Sequence, residues 1–263
     1  MSQRKYVNVK INNVEVKLQF DTASDITIIS KANFKKLQLA SIVPIQKTYD
    51  KSLLKDFYPA LFDKQLGICN KTKAHLVVKA NCQPVFRPKR VVAYAIQHLV
   101  EAELQRLQDL NVISPVNYSN WAAPIVVIKK PNGSIRLCAD FSTGLNDALE
   151  TYQYPLPLPE DIFAKLNNAT VFSHIDLSEA FLQVEVDDSS KELFTINSHM
   201  GLFKYNRMVF GVKTFPAIFQ QIMDQMLAGF NNTAAYIDDI FVSGKNQADH
   251  GANLREYSNT VSN

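Results

Sequence analysis

Two hydrophobic rhythms alternate along this chain. Near the N-terminus, Tyr6-Val7-Asn8-Val9-Lys10-Ile11 and Val14-Glu15-Val16-Lys17-Leu18-Gln19-Phe20 alternate apolar and polar positions across Asn12-Asn13, which predicts a hairpin. From about residue 94 to 111 the spacing lengthens. Ile96, Leu99, Val100, Leu104, Leu107 and Leu110 form one stripe, with Gln97, Glu101, Glu103, Gln105 and Arg106 mostly outside it, as in an amphipathic helix. Lys129-Lys130-Pro131-Asn132-Gly133-Ser134 reads as a turn leading into a strand from Ile135 to Ala139. Val171 to Asp176 predicts a short strand ending on an acid, and Leu182 to Val186 a second. A helix follows Thr214-Phe215-Pro216, with Ile218, Phe219, Ile222, Met223, Met226 and Leu227 at helical spacing before Gly229. The apolar run Ala234 to Val242 is broken only by Asp238-Asp239, which predicts two short strands meeting at an acidic turn.

That turn changes the picture most. Adjacent carboxylates in an apolar setting repel each other and resist desolvation unless a cation is present. Hard cations such as Mg²⁺ commonly join a few carboxylates to substrate phosphates. The other reading is a solvated hairpin turn. Asp176 supplies a third carboxylate at the end of a similar strand, with room before Asp238 for a hairpin and a long helix. Arg87, Lys89, Arg90, Lys129, Lys130 and Arg136 concentrate positive charge upstream, as a solvated face or as a phosphate-binding one. The overall balance is only +3, which permits nucleic-acid binding without indicating it, and 46% hydrophobic content favours a globular chain. Cys69, Cys82 and Cys138 show no ligand spacing, and the five histidines are scattered, so neither a disulfide framework nor a histidine metal site is expected. No long apolar span or secretory pattern is present, so the expected location is intracellular, neither secreted nor membrane-inserted.

Asp176 in its strand, Phe210-Gly211-Val212-Lys213, Pro216-Ala217-Ile218-Phe219-Gln220 and Tyr236-Ile237-Asp238-Asp239 together resemble the successive motifs of retroelement reverse transcriptases, nearest to gypsy-type LTR retrotransposon pol polyproteins. Upstream, Ser119 to Asp140 is similar to the fingers segment, while Gly144-Leu145-Asn146 and Tyr154-Pro155-Leu156-Pro157 are similar to the join between fingers and palm. The resemblance implies an α+β fold of fingers and palm, with a ferredoxin-like palm sheet and packing helices. It implies a metal-assisted RNA-directed DNA polymerase with two Mg²⁺ ions, acting on deoxynucleoside triphosphates and a primed RNA or DNA template. Asp176, Asp238 and Asp239 match its catalytic carboxylates, and the Leu177 carbonyl a further metal ligand. Lys130 (or Lys129) and Arg136 match triphosphate contacts, although Arg136 could instead pair with Asp140. Phe181 matches the ring that excludes a 2′-hydroxyl, and Phe210 and Gly211 line the nucleotide side. Val209 stands where the family usually has Pro, and Phe215 where a small residue is common.

Asp21-Thr22-Ala23-Ser24-Asp25 is similar to the catalytic loop of retropepsin-type aspartic proteases, with Asp21 as the matching carboxylate. One such Asp per chain requires a dimer. The expected organisation is a partial all-β retropepsin-like segment over residues 1–50, a lead-in over 51–90, and fingers and palm over 91–263, ending before a thumb. A partner chain or downstream domains would supply the thumb and RNase H. A non-catalytic nucleic-acid-binding remnant and a dimeric aspartic protease are the alternative functions.

Overall fold

The computed structural model describes residues 58–59, 65–131 and 133–261, together with strands at 5–11, 14–20 and 27–28; Asp21 lies outside the described residues. The chain divides into two compact units, one of Met1–Leu61, Asn168–Ser173 and Ser243–Asn263, the other of Phe62–Asn167 and His174–Val242.

In the first unit, β1 (Lys5–Ile11) and β2 (Val14–Phe20) pair antiparallel from Lys5↔Phe20 to Ile11↔Val14, in agreement with the predicted hairpin. β3 (Thr27–Ile28) adds to β2. The C-terminal helix, Gln247–Val261, starts where Asn246 and Asp249 exchange a turn: Asp249 N–H donates to Asn246 Oδ1 at 3.0 Å and Lys245 N–H to Asp249 Oδ2 at 2.8 Å. Gly244 is required here because a Cβ on it would lie 2.3 Å from the His250 backbone nitrogen.

The second unit carries a five-stranded sheet in the order β4-β9-β8-β5-β6, built from β4 (Ile113–Val116), β5 (Ala123–Lys129), β6 (Ile135–Ala139), β8 (Thr195–Ser198) and β9 (Gly201–Tyr205). β5 and β6 form a hairpin from Ile125↔Ala139 to Lys129↔Ile135, and its turn is closed by Lys130 N–H donating to Ser134 O at 2.8 Å. Helix α1 (Tyr94–Asp109) buries Val100, Leu104 and Leu107, the middle of the predicted stripe, and packs on β4 and β6. Two short helices follow, α2 (Leu145–Ala148) and α3 (Pro159–Lys165). Trp121, near Pro124, is 7% exposed and belongs to the core.

A second sheet, in the order β10-β11-β7, joins β7 (Val171–Asp176), β10 (Thr233–Tyr236) and β11 (Asp239–Gly244). Helix α4 (Phe215–Met226) packs on β10 and buries Phe215, Ile218, Phe219, Ile222 and Met223. Each such side chain contributes roughly 1.5–3 kcal/mol when fully buried. The bulk of Phe215 is absorbed in the core, where its ring lies 5.2 Å from that of Phe194.

One predicted element is not a strand. Ala180–Gln183 forms a 3-10 turn after Glu179, whose backbone is left-handed at φ 49°, and Glu185 and Val186 make only isolated bridges to Arg207 and Ala74. The backbone of 183–186 is instead divided between short stretches: Cys69 N–H donates to Gln183 O, Met208 N–H to Val184 O and Ala74 N–H to Glu185 O, while the buried Arg207 guanidinium donates to Leu182 O at 3.0 Å and Gly67 O at 2.9 Å. Among the described residues, no helix is long and apolar enough to cross a membrane.

Candidate active site

The geometry of the acidic turn follows from the sequence around it. Tyr236 pairs with Asp239, so Ile237 and Asp238 form a two-residue hairpin loop between β10 and β11. Ile237 has φ 53°, a region that a β-branched residue avoids. Such strain costs on the order of 1–3 kcal/mol and persists only where the surroundings over-determine it. The constraint comes from Gln220 on α4, which is fully buried. Its Oε1 accepts from Ile237 N–H at 2.7 Å, and its Nε2 donates to Ala235 O at 3.1 Å and to Asp224 Oδ1 at 3.2 Å. Tyr154 anchors Asp224 in turn, donating to Asp224 Oδ2 at 2.8 Å.

β7 delivers Asp176 to the same place. Leu177 N–H, one residue beyond Asp176, donates to Asp238 O at 3.1 Å. Burial pushes the Asp238 carboxyl above the usual carboxylate range; a hydrogen bond from its own backbone opposes this, and the charges of Asp239 and then Asp176 add smaller upward pushes. The charge of Asp176 is thus felt at Asp238. Asp239 behaves differently. It is 6% exposed, and His174, two residues before Asp176 on β7, lies with Nε2 2.5 Å from Asp239 Oδ1. The His174 ring stacks on Phe241 at 5.0 Å, which holds it in place. His174 is one of five scattered histidines in the sequence, and it reaches Asp239, 65 residues away, only through the fold.

This donor set suits a hard divalent cation. Mg²⁺ is usually held by one or two carboxylates, with water and substrate phosphates completing its shell. Asp176 and Asp238 meet that description, and their mutual repulsion is what a cation would relieve. Among the described residues, no group of three or more His, Cys, Asp or Glu side chains is arranged to hold a metal ion.

The aromatic residues form a wall. Phe181 is 3% exposed, lying between Phe219 at 5.0 Å and Phe210 at 4.5 Å, while Phe210 itself is 52% exposed. The ring facing solvent is therefore Phe210, with Phe181 behind it. Gly211, at φ 101°, follows; a Cβ there would lie 3.2 Å from Ala139 O. Lys130 and Arg136 are exposed on the β5–β6 hairpin, in a different sheet from the carboxylates. The alternative pairing of Arg136 with Asp140 does not form. Arg90 takes Asp140 instead, at 2.5 Å, and Ser142 donates to the other oxygen. The Ser142 bond and then Arg90 hold the Asp140 carboxyl below the usual range despite some burial.

Residues 128–263 match the family model described as "Reverse transcriptase (RNA-dependent DNA polymerase)". The chain is 50% identical over 206 residues to "Uncharacterized protein K02A2.6" of Caenorhabditis elegans, a match that covers 78% of this chain and 16% of that protein. It is 28% identical over 240 residues to the "Retrovirus-related Pol polyprotein from transposon 297" of Drosophila melanogaster, covering 87% of this chain and 22% of the relative. The chain thus spans about a fifth or less of the curated relatives it matches. Among solved structures it is similar in fold to the foamy viral protease-reverse transcriptase in complex with RNA/DNA hybrid. There the TM-score is 0.71 at 18% identity, over 97% of this chain and 38% of that one.

Proposed function

The chain belongs to the reverse transcriptase family, and from that premise we propose that it is the fingers-and-palm module of a retrotransposon pol polyprotein, extending a primer with deoxynucleotides on an RNA or DNA template. What supports this reading is the Leu177 N–H to Asp238 O bond, which ties the end of β7 that carries Asp176 to the β10–β11 turn. Two bound Mg²⁺ ions would supply charge neutralisation at the triphosphate and acidify the primer 3′-hydroxyl.

The chain's own residues do the rest. Asp176 and Asp238 would hold the ions, with Asp239 and the Leu177 carbonyl as flanking ligands. Asp239 is shared with His174, so it contributes mainly by orienting the turn. Lys130 and Arg136 neutralise phosphate oxygens, the guanidinium through several fixed donors. Phe210, backed by Phe181, walls the sugar, and Gly211 lets the backbone approach it. The duplex is held chiefly through phosphates and sugars, so template sequence matters little. Complexes of the foamy viral relatives with double-stranded DNA and RNA/DNA hybrid support a nucleic-acid partner of this kind. The proposed organisation keeps residues 1–50 as a retropepsin-like remnant and 51–90 as a lead-in to the fingers.

The test is incorporation of a single deoxynucleotide on a primed RNA template with Mg²⁺. Wild type is expected to extend the primer, and Asp238→Asn to lose at least about a hundredfold in rate, the scale of removing one charge-stabilising group. Salt-sensitive duplex binding without any extension would replace the reading with that of a nucleic-acid-binding remnant.

A further inference from the structure

The loop that carries Phe210 and Gly211 is held by one side chain from the join between fingers and palm. Asn146, on α2, donates from Nδ2 to Gly211 O at 2.8 Å and accepts at Oδ1 from Lys213 N–H at 3.0 Å. Both polar atoms of the amide are thus engaged by backbone of the same three-residue stretch. No other residue type offers that pair of contacts with the same reach: Asp lacks the donor, and Ala lacks both atoms. The consequence reaches Phe210, because Gly211 cannot shift without moving the ring before it. That ring covers Phe181, which has only 3% of its surface exposed.

We propose that Asn146 is a positioning residue that fixes the Phe210–Lys213 loop, and through it the aromatic wall that an incoming sugar meets, so that discrimination against ribonucleotides depends on this amide. The inference rests on the polymerase reading above. Asn146 touches no reacting atom. It acts through the backbone it clasps, and its loss relaxes the wall while leaving Asp176 and Asp238 in place.

The experiment has two arms on the whole chain. In the first, hydrogen exchange of the peptide spanning residues 210–213 is compared in wild type, Asn146→Ala and Asn146→Asp. Asn146→Ala exchanges faster at Lys213, by about tenfold, the scale expected when one oriented hydrogen bond is lost. Asn146→Asp, which keeps the acceptor, retains protection at Lys213. Unchanged exchange in Asn146→Ala overturns the clamp. In the second arm, the ratio of kcat/KM for a deoxynucleotide to that for the matching ribonucleotide is measured. Both variants lower the ratio by about tenfold or more, mainly because the ribonucleotide KM falls as the wall relaxes, while the deoxynucleotide kcat changes much less. An unchanged ratio with intact melting behaviour overturns the positioning role. A wild type that incorporates nothing sinks the polymerase reading and, with it, the sugar-selection claim, while the exchange arm still decides whether the clamp exists.

Discussion

Replacing Gln220 with Leu removes two of the contacts that make the acidic turn possible while nearly conserving volume. Ile237 N–H loses its acceptor at 2.7 Å and Ala235 O its donor at 3.1 Å, both in a region where Gln220 is fully buried and Ile237 is 9% exposed. A buried amide left unsatisfied costs about 1–3 kcal/mol, and the carbonyl that loses its donor costs about 1 more. The expected loss is therefore about 2–4 kcal/mol, a large part of the roughly 5–15 kcal/mol that a domain usually has. Urea unfolding reads it directly: the midpoint falls while the slope is unchanged. Gln220→Glu sharpens the test. Its carboxylate keeps the acceptor for Ile237 but loses the donor and sits beside Asp224. Burial raises the pKa of such a group in the folded state, so its stability deficit is greatest near neutral pH and shrinks as pH falls and the donor is restored. If Gln220→Leu unfolds within about 0.5 kcal/mol of wild type, as an inconsequential surface change would, the clamp reasoning is refuted.

Two further outcomes follow from other parts of the fold. Burial tends to raise the Asp187 carboxyl, but hydrogen bonds from Ser190, His75 and Ser189 more than offset this and bring it down to about 2. Its stabilisation is present above pH 4 and disappears as pH falls towards 2. Thermal melts of wild type and Asp187→Ala should therefore converge in that window, from a gap of about 1 kcal/mol at neutral pH typical of a lost cap. Arg136→Ala should leave stability within about 0.5 kcal/mol, since Asp140 is paired with Arg90 and not with Arg136. Nucleotide KM in the extension assay should nevertheless rise about tenfold, whereas Arg90→Ala should lower the melting temperature.

Much of this was legible in the chain. The stripe from Ile96 to Leu110 became α1, the run from Ile218 to Met226 became α4, and Asp238 fell in the tight turn that the broken apolar run implied. Periodicity reports such elements because each buries a single face. It does not report which polar side chain is taken by which partner. Asp140 could equally have paired with Arg90 or Arg136, and only the folded chain decides. The Leu182–Val186 segment alternates like a strand, yet its partners are isolated residues, Ala74 and Arg207, and not a neighbouring strand. Gln220 and Asn146 stood in the motifs as unremarkable amides. Their importance comes from the backbone groups they satisfy, a long-range fact that no local spacing encodes. His174 was hidden for the same reason, because its partner lies 65 residues away.

The account depends above all on Asp176 and Asp238 acting together on a divalent cation. Mn²⁺ binding, followed by water-proton relaxation on the whole chain without nucleic acid, tests that without requiring turnover. Wild type should bind Mn²⁺, and Mg²⁺ should compete for the site. Asp176→Asn and Asp238→Asn should each abolish the binding, and Asp239→Asn, whose carboxylate already engages His174, should weaken it less. Equal Mn²⁺ binding by wild type and both variants would contradict the assignment.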